Sequence, residues 1–211
     1  MGTAVDPAGS RGRIDKRRAI LDAAFAVFAR EGYTQAGVDA IAAEAGVAKA
    51  TVYNHFGDKE TLLRRTIADL AEQALEQNLA AIERLGTPGD DLRALLEDVG
   101  LSLAHCYCDE RSWTLRRLLI AEFAQFPDLL DVIWGRVNDR ALDALADRLA
   151  RLALAGRLRA NDPVAAAEQF SALLSAPLDK RTRLGTRDVP EDEVRAVVTA
   201  AVATFLAAFA P

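Results

Sequence analysis

The chain has 211 residues, 51% of them hydrophobic and 27% charged, with a net charge of −5. These proportions describe a soluble globular protein and exclude a low-complexity or strongly charged disordered chain. The charge is uneven: residues 1–65 carry +2 and the rest −7, so a mildly basic head precedes an acidic body.

In chain order, residues 1–10 are rich in Gly, Ala and Pro and read as a disordered arm. Helical spacing of Ile20, Leu21, Ala24, Phe25, Val27 and Phe28 predicts a helix over 13–31, stopped by Gly32. Two short helices follow at 38–45 and 49–56, around Gly46. A long helix is expected over 59–85, ended by the Gly86-Thr87-Pro88-Gly89 break. Asp90 is placed to cap a helix reaching Cys108. Trp113 to Gln125 forms another, interrupted at Pro127, and residues 129–155 read as one long amphipathic helix. Asn161-Asp162-Pro163 opens a helix expected to stop before Pro177, leaving 178–189 as a mobile connection. Acidic residues after Pro190 suit the start of the last helix. Alanine and leucine prevail over β-branched runs, so the fold class read here is all-α.

Several function classes find no support. The two histidines, His55 and His105, lie about fifty residues apart, and no phosphate-binding loop, zinc spacing or nucleophile elbow is present. Neither catalysis nor a metal or cofactor is therefore expected. Cys106 and Cys108 are separated by one residue, not the two of redox or zinc motifs. An oxidation-sensing or soft-metal role for them with His105 is the weaker reading. Residues 1–10 lack the apolar core of an export signal, and the uncharged run 196–210 is too short to span a bilayer. The expected compartment is the cytoplasm, away from the membrane.

The segment that carries chemistry runs from Gly32 to Leu63. Ile41, Ala42 and Ala45 supply the buried face of the first short helix, Gly46 the tight turn, and Val47, Val52 and Phe56 the anchors of the second. Lys49, Ala50, Thr51, Tyr53, Asn54 and His55 are then left to project outward. A helix fixed on one side and exposing such residues on the other can lie in a DNA major groove. Arg13, Lys16 and Arg17 would add a basic contribution from the preceding helix.

This segment resembles the TetR family of bacterial regulators over residues 16–63, above all in Tyr53-Asn54-His55-Phe56-Gly57-Asp58-Lys59-Glu60. The resemblance implies a homodimer with two helix-turn-helix heads on double-stranded operator DNA. It divides the chain into an arm (1–10), a DNA-binding domain (11–58) and an effector-binding and dimerisation domain (59–211). Tyr53 and His55 would contact phosphates. Lys59 would do the same, aided by the dipole of the helix it begins. Lys49 would read guanine, and Ala50 and Thr51 a thymine methyl. Gly37 and Ala48, with Ala36, stand where many members have Thr or Ser. Those positions keep their place at the interface without the hydroxyl.

The stretch from Arg116 to Leu129, including Glu122-Phe123 and Phe126-Pro127-Asp128, resembles AefR-type regulators. A small-molecule effector is implied, with Tyr107, Trp113, Arg117, Phe123, Phe126, Trp134, Asn138 and Phe170 as candidate pocket residues. Phe170, Leu173 and Leu174 form one apolar stripe. Val194, Val198, Val202, Phe205 and Phe209 form another, and the family resemblance implies that the two pair across a two-fold axis. Repression relieved by the effector is the family default, the helix over 59–85 relaying the signal. The competing reading is a helical protein-interaction module with vestigial DNA binding.

Overall fold

The computed structural model describes residues 7–86 and 91–211, with side chains from residue 14 onward except those of residues 133, 134 and 136. Among the described residues every regular element is helical. The α-helices are α1 (Pro7–Gln35), α2 (Val38–Glu44), α3 (Lys49–Phe56), α4 (Lys59–Glu83), α5 (Leu92–Cys108), α6 (Glu110–Glu122), α7 (Leu129–Asp131), α8 (Asp139–Leu154), α9 (Pro163–Thr182) and α10 (Glu191–Phe209). The chain forms two compact units: a head of residues 1–70 with 118–129, and a body of 71–117 with 130–211. Residues of α4 and α6 fall in both. Among the described residues no helix is long and apolar enough to cross a membrane.

In the head, α1 buries Ile20, Leu21, Ala24, Val27 and Phe28 on one face, the stripe its spacing predicts. The helix starts at Pro7, so residues 7–10 are helical rather than part of an arm; residues 1–6 lie outside those described. At Gly32 the helix kinks, with φ 72°, and one further turn reaches Gln35. Ile41, Val52, Phe56, Leu62, Leu63 and Ile67 complete the core.

Residues 118–129 belong with this head. Leu118, Leu119, Phe126 and Leu129 are buried, and the Phe126 ring meets Tyr33 edge-on at 4.8 Å. Arg64 pairs with Glu60 and Asp128 and lies 5.5 Å from the Phe126 ring. The AefR-like string is thus largely a packing surface for the head.

In the body, α5, α8, α9 and α10 enclose one core that includes Leu96, Val99, Leu145, Leu149, Phe170, Val198, Val202 and Phe205. Asp91 caps α5 by accepting the Ala94 N–H at 3.0 Å; Asp90, expected in that role, lies outside the described residues. Asp162 caps α9, accepting from Val164 and Ala165 at 3.1 and 3.0 Å, with Pro163 in the first turn. The single helix expected over 129–155 is instead broken by a wide π-type turn, Val132–Asn138, that contains Gly135.

Two further expectations fail for a tertiary reason. α9 does not stop before Pro177 but continues to Thr182. An interior proline costs a helix about 3 kcal/mol. Burial of Leu178 (0% exposed) and Thr182 (2%) offsets that cost, and the Thr182 hydroxyl bonds to the Leu178 carbonyl. The connection to α10 is therefore short, and it is tightly held. Arg183, Leu184 and Gly185 all take positive φ. Arg117 donates to the carbonyls of Leu184 and Gly185 at 3.2 and 3.0 Å. A Cβ at Gly185 would fall 2.4 Å from that of Trp113, so only glycine fits.

Candidate nucleic-acid interface and ligand cavity

The turn between α2 and α3 is closed by main-chain bonds. Val47 N–H donates to Ala42 at 3.0 Å and Gly46 N–H to Ala43 at 3.2 Å, with Gly46 at φ 65°. Gly37 and Ala48 begin α2 and α3 in extended conformation and give no side-chain cap, as their composition predicts. Val52 and Phe56 face inward. Lys49, Ala50, Tyr53 and Asn54 are exposed, while Thr51 and His55 are half-buried. The structure therefore brings Lys49, Ala50, Tyr53 and Asn54 of the predicted contact residues onto the outward side of one short helix.

Basic groups gather around it. Arg17 of α1 stands 5.8 Å from the Phe56 ring, and Lys16 and Arg17 are exposed. The side chain of Arg13 lies outside the described residues. Lys49 is paired with Asp39 at 2.8 Å, which raises its pKa through the hydrogen bond and the nearby charge. Lys59 lies 4.6 Å over the Tyr33 ring and donates to the Thr34 carbonyl at 3.3 Å, so its ammonium is held against the end of α1. Asp58 accepts the Thr61 N–H at 2.6 Å and opens α4; these bonds lower its pKa. The sequence pattern D-K-E-T before an apolar run could have revealed that cap.

The body contains a cavity of about 260 Å³. Its apolar wall is Ile82, Leu103, Ala141, Leu142, Leu145 and Leu174. Asn78, Tyr107, Asn138, Ser171 and Ser175 supply the polar groups. Of the expected pocket residues, Tyr107 and Asn138 are here. The others are elsewhere, and each has a physical reason. Trp113 is 3% exposed and, with Arg117, holds the α9–α10 connection. Phe126 packs in the head and Phe123 is 51% exposed. Phe170 fills the body core against Phe205, ring centroids 5.0 Å apart. The Trp134 side chain lies outside the described residues. Asn78, Ser171 and Ser175 escaped the sequence reading. Their signal was a small polar residue four places from an apolar one or from another serine, as in 78/82 and 171/175.

The Tyr107 phenol donates to Asp179, and burial with that bond pushes its pKa up. The Arg116 guanidinium is stacked 3.9 Å from the Tyr107 ring and 4.3 Å from Trp113. Burial raises the pKa of both Cys106 and Cys108 thiols, which disfavours the thiolate that sensing chemistry needs. Among the described residues no cluster of His, Cys, Asp or Glu could hold a metal.

Most of the residues expected at a subunit interface are spent inside the chain. Phe170, Leu174, Val194, Val198, Val202 and Phe205 are at most 4% exposed and form the body's own core. Leu173 and Phe209 are only half-buried. With Ala172, Ala176, Pro177 and Ala208 they line an apolar groove along α9 and α10.

A helix-turn-helix head followed by an all-helical body with a cavity has the architecture of a DNA-binding regulator. The comparisons refine this. The model for bacterial regulatory proteins of the tetR family matches residues 20–66. The model for the AefR-like transcriptional repressor C-terminal domain matches residues 94–211. The chain belongs to the TetR family. It is 30% identical over 195 residues to an HTH-type transcriptional repressor of Mycobacterium tuberculosis, covering 92% of this chain and 91% of that one. It is 33% identical over 116 residues to the HTH-type transcriptional regulator BetI of Rhizobium meliloti. That match covers 50% of this chain and spans only 57% of the relative's length. A solved TetR-family regulator from Mesorhizobium loti superposes with a TM-score of 0.86 at 28% identity, covering 94% of this chain and 98% of its own.

Proposed function

We propose that the protein is a homodimeric, sequence-specific repressor that acts by binding rather than catalysis in the bacterial cytoplasm. It grips a palindromic operator through α3 and is released when a small molecule enters the body cavity. The observation that carries the reading is the surface of α3. Val52 and Phe56 are buried while Lys49, Ala50, Tyr53 and Asn54 face out. A duplex groove is the partner that fits such a helix. Arg17, Lys49, His55 and Lys59 supply cationic or hydrogen-bonding groups for the flanking phosphates. Gly37 and Ala48 contribute main-chain N–H groups there, having no hydroxyl to offer.

The groove on α9 and α10 supports pairing of two copies about a two-fold axis, and a two-fold dimer suits a palindrome whose half-sites lie about one DNA turn, roughly 34 Å, apart. By linkage, the effector then weakens operator binding by the factor by which operator weakens effector binding.

The test is fluorescence anisotropy with the protein's own upstream intergenic DNA, scrambled competitor and two salt concentrations. Binding that survives competitor and weakens with salt is expected. If Tyr53→Phe and Lys59→Ala leave all residual DNA binding unchanged, the interaction-module reading replaces this one.

A further inference from the structure

We propose that the body cavity selects a compact, uncharged ligand that joins an apolar ring or short chain to hydrogen-bonding groups such as an alcohol, amide or lactone. This rests on reading that cavity as the effector site.

Charge is the first discriminator. Among the described residues, no Lys, Arg, His, Asp or Glu lines the cavity. Two ionised groups beside Tyr107 are already engaged. Asp179 accepts the Tyr107 phenol, and Arg116 sits against the Tyr107 and Trp113 rings with one N–H on the Tyr107 carbonyl at 3.0 Å. A charged ligand would give up part of its hydration in the cavity and meet no opposite charge among the described lining residues, a cost that a neutral ligand of the same size avoids.

Hydrogen bonding is the second. Ser102, Thr66, Thr182 and Thr204 each turn the hydroxyl back onto a carbonyl four residues earlier. Ser171 and Ser175, on the cavity wall, make no such bond, and the side chains of Asn78 and Asn138 have no hydrogen-bond partner among the described residues. Two amides and two hydroxyls are therefore free, and together they offer both donors and acceptors. A purely hydrocarbon ligand would gain none of these four partners, whereas a ligand with a donor or acceptor can pair with them. Size is the third. At about 260 Å³ the cavity falls just below the range of about 300–1,000 Å³ that holds drug-sized ligands, so long acyl chains and nucleotide conjugates do not fit.

The experiment loads the full-length protein with N-phenyl-1-naphthylamine, a neutral dye that brightens in apolar surroundings. The dye is then displaced with three indoles of one size and different charge at pH 7. These are the neutral alcohol tryptophol, the anion indole-3-acetate and the cation tryptamine. Tryptophol is expected to displace the dye at concentrations at least about tenfold below either ion. Leu142→Trp and Ser175→Met, each checked by its thermal melt, are expected to lose dye binding. Equal displacement by either ion, no dye binding by the wild type, or dye binding that survives both variants would overturn the inference. Operator anisotropy gives the separate readout. If tryptophol fills the cavity and operator affinity does not move, the effector reading falls while the ligand selectivity stands.

Discussion

The Glu122 carboxylate accepts the main-chain N–H of Tyr33 at 2.8 Å, joining positions 89 residues apart in sequence. The bond lies within the head and fastens the end of α6 to the kink after Gly32. Glu122 is only 9% exposed. Replacing it with alanine leaves a part-buried N–H without its partner, which costs about 1–3 kcal/mol. Glu122→Ala is therefore expected to lower the unfolding free energy by about that amount in urea titrations. Glu122→Gln, which keeps an acceptor oxygen, is expected to lose less than half as much.

Lys59 begins α4 and its ammonium is already held over Tyr33. A cation so placed meets a phosphate with little further ordering. Lys59→Ala is expected to weaken binding to specific and scrambled DNA alike, and to reduce the slope of log affinity against log salt by about 1. Asp39→Asn works the other way. It frees Lys49 and removes a negative charge beside the proposed recognition helix, so affinity for scrambled DNA should rise. Anisotropy titrations across salt concentrations measure both.

Loss of the last helix cannot test dimerisation, because Val194, Val198, Val202 and Phe205 belong to the core of a single chain. The exposed side of the same helices can. Ala176 and Ala208 line the α9–α10 groove and are exposed. Ala176→Glu with Ala208→Glu places like charges on both sides of the proposed two-fold interface. Sedimentation equilibrium is expected to show monomer with an unchanged helical circular dichroism spectrum. A dimer from the double variant would remove this groove as the interface.

Asp128 is paired with Arg64, and that hydrogen bond holds its carboxyl below the usual value. A carboxylate with a depressed folded pKa stabilises the fold above its unfolded pKa of about 3.9 and loses that contribution as pH falls through the folded value. The stability difference between wild type and Arg64→Gln should thus be constant at neutral pH and shrink below about pH 4. Urea midpoints of both proteins across pH 2.5–7 provide the check. Both side chains are substantially exposed, so 1 M salt should shrink the difference as well.

The sequence by itself determined the parts whose physics is local. The all-α class, the turn at Gly46, the inward Val52 and Phe56 and the outward Lys49, Tyr53 and Asn54 all follow from spacing within a few residues. The cap and proline that open α9 do so too. What only the tertiary structure decided depended on which apolar stripe meets which. Phe126 and Phe123 carry the composition of pocket residues, yet one packs on Tyr33 and the other faces solvent. Trp113 and Arg117 brace a loop that periodicity could not foresee. Pro177 reads locally as a stop, and burial of Leu178 and Thr182 outweighs it. The cavity was least legible of all. Asn78, Tyr107, Asn138 and Ser171 are far apart in the chain and come together around one space only when α4, α5, α8 and α9 fold over it. Helical period records which face of a helix is buried but not its neighbour across the core, and that neighbour decides whether a buried face becomes packing or a pocket.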